Sequence, residues 1–305
     1  MVKTSNIKYY EYPEIDFEKW NKVIDEADNA LIYAHTCYLD VVSENWGAYV
    51  YGDYEYIMPL TESKKVGINF LQQPFYCQQL GIFPTPSEHV AREFIDSVRS
   101  DFKYVSINFN SNNKVVNTAD IDITPVNNLV LDLNQSYEDI CRTYTKHTVR
   151  HLKKAYCNQL HFVEYIKGVT YIDYKIKNQS SHIYKKSLKI LKKMLPELLS
   201  RDKGFISAVF DADNNMCAAA VFVVGCGRVV YINGVTNGKG KENDAMYYLM
   251  DHVIKKFAGS PLLLDFEGSK IPGVARFFEG FGAKPEQYYN FKYNKLPIPL
   301  RWIKK

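Results

Sequence analysis

Apolar residues recur along the whole chain at spacings that predict alternating helices and strands. Spacings of three and four residues indicate helices, and period-two alternation indicates strands. In chain order, the first part is expected to contain helices over 16–27 and 38–44, a strand pair over 48–60, extended segments over 69–73 and 78–82, a helix over 87–101 and a strand over 104–109. The strand pair turns at Gly52-Asp53, and Ser87 can cap the helix that begins after it.

The same kinds of pattern continue after a polar segment near Pro125–Asn128. They predict a strand over 129–133, helices over 136–157 and 178–194, strands over 205–210, 218–224 and 228–235, a glycine-containing loop over 236–241, a helix over 244–257, a buried strand over 262–266, a helix over 274–281 and a strand over 287–293. Pro196 is expected to end the second of these helices or to start a new one.

This order of elements predicts an α/β or α+β fold in which mixed sheets are flanked by helices. The first half shows a looser version of the order found in the second half. Two related domains are therefore expected, over residues 1–127 and 128–305. A length of 305 residues fits about two domains of ordinary size.

Composition excludes several classes of protein. Hydrophobic residues make up 46% and charged residues 24%, which are globular rather than disordered or collagen-like values. No apolar run is long enough to cross a membrane, and the first eight residues lack the apolar region of a signal peptide, so a cytoplasmic location is expected. The six cysteines are scattered without a C-x-x-C pair, so neither a metal site nor a disulfide framework is expected.

The formal net charge of +4 hides a strongly basic block. Between Arg142 and Lys193 there are thirteen Lys and Arg but only two acids, a local net charge of +11, and the remainder carries −7. Four of the seven histidines also lie in this block. Such an imbalance indicates an anionic partner: a nucleic acid, a diphosphate or a membrane surface.

Each helix predicted in the basic block has a structural alternative, in which its basic residues form only a solvated face. In the first, Lys146, Arg150 and Lys153 share one stripe, so they can converge on a single ligand. Its charges are dense and flanked by histidines, and a binding face and a solvated face are about equally supported. In the second helix the lysines face away from the apolar stripe, and a solvated face is the favoured interpretation.

Two carboxylates close the buried strand predicted near residue 265. Period-two alternation would place Asp265 and Glu267 on the same face, opposite Phe266. Carboxylates at a strand end can assist proton transfer, and strand ends are where sites gather in open sheets. The structural alternative, that they pair with Arg276 or cap the next helix, is equally supported.

Two short motifs resemble the FemAB-like peptidyltransferases, which are tandem GNAT proteins. The segment from Gly273 to Ala283 is similar to the G-x-x-x-F-K-x-G-F-G signature, with Phe277, Gly280, Phe281 and Gly282 matching and Phe278 in place of the usual lysine. The segment from Thr148 to Ala155 resembles the R-x-x-I-K-K-A helix, with Arg150, Lys153, Lys154 and Ala155 matching. Trp46 and residues 73–81 look like the first domain of these proteins.

The resemblance implies two tandem GNAT-like acyltransferase domains that move an acyl group from a carrier to a primary amine. The first domain would be degenerate and lie on the acceptor side, and the second would hold the carrier. In FemAB relatives the carrier is an aminoacyl-tRNA and the acceptor is a peptidoglycan precursor with a diphosphate. In ordinary GNAT enzymes it is acetyl-CoA, but Gly238-Lys-Gly240 lacks the fuller R/Q-x-x-G-x-G/A pattern that binds its pyrophosphate.

From the residues and the resemblance together we derive three sets of candidate site residues. Proton transfer is assigned to Asp265 and Glu267, phosphate binding to Lys146, Arg150, Lys153 and Lys154, and a substrate groove to Tyr76, Gln79, Tyr231, Asn233 and Arg276. The polarised carbonyl would be held by backbone N–H groups of splayed strands, which no side-chain pattern reveals.

The resulting hypothesis is an acyltransferase without a metal, a covalent intermediate or a permanently bound cofactor. Its partners would be an anionic carrier, tRNA or CoA, and an amine acceptor, without DNA sequence readout or a membrane span. Three alternatives remain open: an acetyl-CoA-dependent enzyme acting on a small amine, a non-catalytic protein that binds anions or nucleic acid, and a degenerate tandem domain without activity.

Overall fold

The computed structural model describes residues 6–65, 67–114, 120–178, 185–268 and 271–297. These residues form two compact units. The first contains the described residues up to Val126 together with those from Gln287 onward, and the second spans Asn127–Glu286. The sequence predicted domains over 1–127 and 128–305, whereas the residues from Gln287 onward, assigned there to the second domain, group here with the first unit.

The first part of the chain contains the strands and helices β1 (Ile7–Tyr10), α1 (Phe17–Glu26), α2 (Thr36–Val42), β2 (Gly47–Tyr51), β3 (Tyr56–Leu60), β4 (Glu62–Lys65), β5 (Ile68–Gln72), α3 (Glu88–Asp101) and β6 (Tyr104–Phe109). The remainder contains β7 (Ile121–Asp132), α4 (Tyr137–Arg142), α5 (Lys146–Cys157), β8 (His161–Val163), α6 (Gly168–Asn178), α7 (Lys185–Ser200), β9 (Gly204–Phe210), β10 (Met216–Gly225), β11 (Arg228–Thr236), α8 (Gly238–Glu242), α9 (Ala245–Phe257), β12 (Leu263–Asp265), α10 (Pro272–Glu279) and β13 (Lys284–Asn294).

The first unit contains two sheets packed with helix α3. Strands β1, β2 and β3 form an antiparallel sheet. In the other, β4 pairs antiparallel with β5, β5 parallel with β6, and β6 antiparallel with β13. Period-two patterns predicted β2, β3, β5 and β6, but β4 is a polar strand of sequence Glu-Ser-Lys-Lys without such a pattern. The extended segment predicted over 78–82 forms only a bridge from Leu80 to Phe109.

The second unit is built on a mixed sheet with the strand order β7-β12-β11-β10-β9-β8. All neighbouring pairs are antiparallel except β11 and β12, which are parallel. The predicted hairpin between β9 and β10 is confirmed, because the carboxylate of Asp211 accepts the backbone N–H groups of Asp213 and Asn215 in the turn. Apolar residues of α5, α9 and α10 share one core with this sheet.

The single helix predicted over 136–157 is wrong, because the chain forms α4 and α5 with a break between them. Thr145 caps α5 by accepting the N–H of Thr148, and its own N–H donates to the carbonyl of Gly280. A Cβ at Gly282 would lie 2.0 Å from Thr143 Oγ1, and one at Gly280 would lie 2.3 Å from Thr148 Oγ1. The glycines of the motif therefore allow the end of α10 to pack closely against this break.

One helix was missed and one helix end is wrong. Helix α6 was not predicted, and α7 continues through Pro196 to Ser200 instead of ending or restarting at the proline. The start predicted at 178 falls next to residues 179–184, which lie outside the described residues. The segment over 236–241, predicted as a loop, contains the short helix α8. No helix in the described part of the chain is long and apolar enough to cross a membrane.

Candidate functional site

A pocket of about 390 Å³ opens in the second unit beside strand β11. Its apolar wall consists of Val235 on β11, Met246 on α9, and Val274, Phe277 and Phe278 on α10. Its polar lining consists of Tyr231, Thr236, Lys241, Asp244 and Tyr247. This mixture of an apolar body and a few polar groups is typical of a site for a small molecule or the reactive end of a larger one.

Strand β11 extends past the end of its parallel neighbour next to this pocket. The ladder with β12 covers only Arg228, Val229 and Val230, whereas β11 continues to Thr236. On the other side, the pairing with β10 shifts at Ile232, which makes a β-bulge. The backbone beyond Val230 therefore runs along the pocket without a β12 partner. Backbone N–H groups in such a position can bind a carbonyl oxygen that develops negative charge.

Helix α5 contacts the pocket through histidine and lysine side chains. His151 Nδ1 lies 2.9 Å from Asp244 Oδ1, and the His151 ring stacks on that of Tyr247 with centroids 4.6 Å apart. The second ring nitrogen of His151 lies 3.1 Å from Nε2 of His147. Loss of solvent, followed by the charges of His151, Arg150 and Arg276, lowers the pKa of His147. A row of polar groups thus leads from the buried acid at the pocket wall to the surface of α5.

The four residues predicted to bind phosphate are all exposed on α5. Lys154 reaches Asp244, with its Nζ 3.5 Å from Oδ2. Burial and the charge of Asp244 raise the pKa of Tyr247, and the positive charge of nearby Arg150 opposes this rise. Lys146 and Lys153 are exposed on the same helix. Two of the four predicted residues therefore lie next to residues of the pocket lining, and all four are exposed.

The two predicted carboxylates have different surroundings. Asp265 is completely buried, and its Oδ2 accepts from Arg228 Nη1 at 2.8 Å while Oδ1 accepts from Asn128 at 3.0 Å. Arg228 also binds both carboxylate oxygens of Glu286, at 2.7 and 2.8 Å. Asp265 is not part of the pocket lining. Its ion pair is with Arg228 and not, as the sequence suggested, with Arg276.

The charge of Glu267 acts on Tyr231, a residue that lines the pocket. Strand β12 ends at Asp265, and Glu267 has a left-handed backbone with φ +57°, so the alternation that would place both on one face does not continue. Burial, followed by the charge of Glu267, raises the pKa of the pocket residue Tyr231. Glu267 therefore remains a candidate for proton transfer, whereas the contacts of Asp265 favour a structural role.

The residues predicted for a substrate groove are distributed over both units. Tyr231 lines the pocket, and Arg276 is exposed on α10 near His147. Tyr76 and Gln79 belong to the first unit, where the Tyr76 carbonyl accepts from Tyr38 and buried Gln79 donates to Gln78 Oε1 at 2.7 Å. These contacts place Gln79 in the interior of its unit.

Asn233 does not line the pocket. It accepts a hydrogen bond from a lysine whose burial was not predicted from the sequence. Its Oδ1 accepts from Tyr171 at 2.7 Å and from Lys175 Nζ at 2.5 Å. Lys175 is only 3% exposed, and burial lowers its pKa to about 8. Lys175 is one of the thirteen basic residues of the block and lies on the buried side of α6. Only the 3.6-residue period of that helix could have indicated from the sequence that it is buried.

We expect Lys175→Met to stabilise the protein near neutral pH by about 2 kcal/mol. Below about pH 8 the ammonium is charged in both states and its burial is unfavourable. As the pH rises from there, the folded chain loses this proton before the unfolded chain does, so the stability of the wild type should increase with pH. Urea unfolding at about pH 7 and about pH 9.5 should show this increase in the wild type and a smaller one in the variant.

Lys177→Met provides the matched control, because Lys177 is exposed on the same helix. It should change the unfolding free energy by less than about 0.5 kcal/mol. Equal effects of the two substitutions would contradict a buried, charged Lys175.

Tyrosine hydroxyls fix the position of α4 and α5 against α9. Asp251 on α9 is buried and accepts from Tyr137 at 2.8 Å, Tyr144 at 2.9 Å and Tyr156 at 2.7 Å. Three hydrogen bonds compensate for burial of this carboxylate. The network holds α5, and with it His147 and His151, beside the start of α9.

Of the two glycines in α8, Gly238 and Gly240, only Gly240 is needed for close packing. A Cβ at Gly240 would lie 2.1 Å from the carbonyl oxygen of Cys217, whereas one at Gly238 would meet nothing within 4 Å. Gly240 is therefore required for close contact between α8 and β10. Among the described residues, no group of three His, Cys, Asp or Glu side chains is arranged to hold a metal ion.

Comparisons with known proteins show relatives in structure but not in sequence. No family model matches the chain, and no curated protein matches it in sequence. The fold is similar to that of FemX, at 9% identity and a TM-score of 0.64, covering 95% of this chain and 98% of the other. It is also similar to the C-terminal domain of a putative lysylphosphatidylglycerol synthetase from Agrobacterium fabrum, at 8% identity and a TM-score of 0.56, with 95% and 94% covered.

A third similar structure is a tandem GNAT protein from the clavulanic acid biosynthesis pathway, at 9% identity and a TM-score of 0.53, covering 95% of this chain and 99% of the other. The chain therefore has a FemAB-like tandem GNAT fold. The fold class and the family resemblance predicted from the sequence are both confirmed.

Proposed function

We propose that this protein is an acyltransferase that moves an acyl or aminoacyl group from an anionic carrier to an amine. The observation that carries the proposal is the pocket at the point where β11 extends beyond β12, with basic α5 beside it. The similarity to FemX and to a tandem GNAT protein supports the same class of reaction, since both are named for acyl-transfer families. Fold similarity by itself does not define a substrate, so the proposal depends on the site.

In the proposed reaction, exposed α5 residues bind the phosphates of the carrier. Arg150 and Lys154 contact it nearest to the pocket, and Lys146 and Lys153 extend the same basic face. The acyl group enters the pocket against Val274 and Phe277, and its carbonyl oxygen accepts from backbone N–H groups of β11 beyond Val230. Holding both parts in place turns the attack into an effectively unimolecular step.

The acceptor amine then attacks the carbonyl carbon. A C–N bond forms, the bond from the carbonyl carbon to the carrier oxygen or sulfur breaks, and the electron pair leaves with the carrier. The proton released by the amine is taken up by Glu267 or directly by the leaving atom. Neither route requires a covalent enzyme intermediate or a permanently bound cofactor.

Aminoacyl-tRNA is the donor that the site supports better than acetyl-CoA. In GNAT enzymes the CoA pyrophosphate binds at a helix N-terminus, but here α9 begins beside the carboxylate of Asp244. Gly240 is used for packing against Cys217. The basic face of α5, in contrast, suits the extended phosphate backbone of a nucleic acid. Both carriers are cytoplasmic molecules, so the proposal places the reaction in the cytoplasm.

Filling the pocket tests the proposal. Val274→Trp is expected to lower the rate of acyl transfer roughly ten-fold, an increase of about 1.4 kcal/mol in the barrier, because the indole would occupy space meant for the acyl group. The assay would offer bulk tRNA charged with radioactive amino acids, or radioactive acetyl-CoA, and would use a UDP-linked muramyl pentapeptide or a lysine peptide as the acceptor.

Val169→Trp is the matched control, because Val169 is exposed on α6 and does not line the pocket. It should transfer at the wild-type rate. The proposal fails if the wild type transfers nothing from either carrier, or if the two tryptophan variants have the same rate.

A further inference from the structure

A buried lysine of α6 contacts the strand that lines the pocket. Lys175 is only 3% exposed, and its ammonium donates to Oδ1 of Asn233 at 2.5 Å. The hydroxyl of Tyr171, one turn earlier on α6, donates to the same oxygen at 2.7 Å. Two donors from one helix therefore meet on a single acceptor of β11. Asn233 immediately precedes Gly234, which lines the pocket.

The part of β11 that Lys175 contacts has little support from its own sheet. Strand β12 pairs with β11 only as far as Val230, so beyond that residue β10 is the neighbour that remains in the described sheet. The pairing with β10 is itself irregular here, with a bulge between Tyr231 and Asn233. Bulges bend a strand and redirect its backbone groups. The direction of the N–H groups beyond the bulge therefore depends on contacts from outside the ladder.

Helix α6 contacts β11 at a second point, just beyond the pocket residues. The hydroxyl of Tyr174 accepts the backbone N–H of Asn237 at 3.2 Å. Asn233 and Asn237 lie on either side of residues 234–236, all of which line the pocket. Helix α6 thus contacts both ends of this segment, at one end through Lys175 and at the other through Tyr174.

Stability does not explain the presence of an ammonium at this position. Burial lowers the pKa of Lys175, and no acid among the described residues pairs with it. A buried charge without a counter-charge is unfavourable for folding, and the neutral amide oxygen of Asn233 compensates for only part of this cost. Residues that lower stability without a structural gain are expected chiefly where they serve function.

We propose that Lys175 is a positioning residue, which through Asn233 holds the bulged part of β11 so that its backbone N–H groups face the acyl carbonyl in the pocket. This inference rests on the proposed function, in which those N–H groups bind the carbonyl oxygen. Lys175 does not line the pocket, so it acts through Asn233 and not on the substrate. A shift of about 1 Å in a group that stabilises the transition state can lower a rate by about a hundred-fold.

Lys175→Met separates this role from a structural one. Methionine fills similar space but has no donor for Asn233. We expect the variant to resist urea better than the wild type, yet to transfer acyl groups with a kcat about ten-fold lower and with KM values for carrier and acceptor within about two-fold. A residue that served only stability would not combine these two effects.

Lys177→Met is the matched control, because Lys177 lies on the exposed side of the same helix. It should leave both kcat and stability near the wild-type values. A wild-type kcat in Lys175→Met would overturn the inference, while the transfer measured in the wild type would leave the proposed function standing.

Two substitutions of Asn233 test whether the effect passes through this contact, and they keep the test valid should Lys175→Met fail to fold. Asn233→Asp keeps an oxygen that accepts from Lys175 and should retain kcat within about two-fold. Asn233→Ala removes that oxygen and should lower kcat about ten-fold. Combining Asn233→Ala with Lys175→Met should lower kcat no further, because both remove the same contact. Additive losses would contradict the role of Asn233.

A measurement without turnover decides the inference if the wild type transfers nothing. In Lys175→Met the backbone amide signal of Gly234 should shift in NMR spectra, and hydrogen exchange over residues 232–236 should be about ten-fold faster, whereas Lys177→Met should match the wild type. Unchanged Gly234 signals and exchange would overturn the inference at any level of activity. Changed signals in a protein without transfer would refute the proposed function but support the role of Lys175 in holding β11.

Discussion

Arg228→Met is expected to lower the free energy of unfolding by about 3–5 kcal/mol. Arg228 Nη1 donates to buried Asp265 at 2.8 Å, and its two terminal nitrogens bind Glu286 at 2.7 and 2.8 Å. Although burial alone would lower it, the pKa of Arg228 is raised overall by these two carboxylates. Without the guanidinium, two acids would remain together with little solvent, and the cost of leaving a buried charge uncompensated is large.

Urea unfolding near neutral pH measures this effect, and Arg201→Met is its matched control. Arg201 directly follows α7 and pairs with Glu197 at the surface, where loss of an ion pair should cost less than about 1 kcal/mol. Similar losses in the two variants would contradict the buried network. A further variant, Asp265→Asn, separates two roles for this residue. If it keeps the wild-type stability but loses acyl transfer, Asp265 serves in proton transfer and the structural role is wrong.

The sequence predicted best those elements whose own pattern is strong. Strands β9, β10 and β11 and helix α9 were located to within a few residues, because their apolar runs and the Asp211 turn are local signals. The break between α4 and α5 depends on contacts between Thr143 and Gly282, which are far apart in sequence. No local pattern could predict this contact.

The candidate site was predicted in part. Tyr231, chosen at a strand end, lines the pocket, and the basic face of α5 lies beside it, but Asp244 and His151 were not selected. The histidine pair four residues apart was a visible signal, since such residues share a helix face. The ion pair of Arg228 with Asp265 joins β11 and β12. Period-two alternation shows on which side of its own strand a residue lies, but not which residue of another strand it contacts, so the sequence could not predict this pair.

Reversing the charge of three α5 residues together is expected to weaken binding of the carrier by about a hundred-fold or more. The variant combines Arg150→Glu, Lys153→Glu and Lys154→Glu, whose side chains are exposed on α5, with Lys154 3.5 Å from the pocket residue Asp244. Each lost contact with a phosphate removes a charge-assisted hydrogen bond and the release of counterions that accompanies it. Fluorescence titration with bulk aminoacyl-tRNA at fixed salt would measure the loss, and acetyl-CoA would serve as the second carrier.

The second basic helix provides a control with the same change in net charge. Lys186→Glu, Lys189→Glu and Lys192→Glu alter exposed residues of α7, for which the sequence favoured a solvated face. If α5 forms the carrier site, this variant should lose less than about three-fold, since only the overall field of the protein changes. Equal losses in both variants would mean that the whole basic block attracts tRNA without a defined site, and undiminished binding in the α5 variant would exclude α5 from the carrier site. Because the net charge falls equally in both, a difference between them can arise only from position.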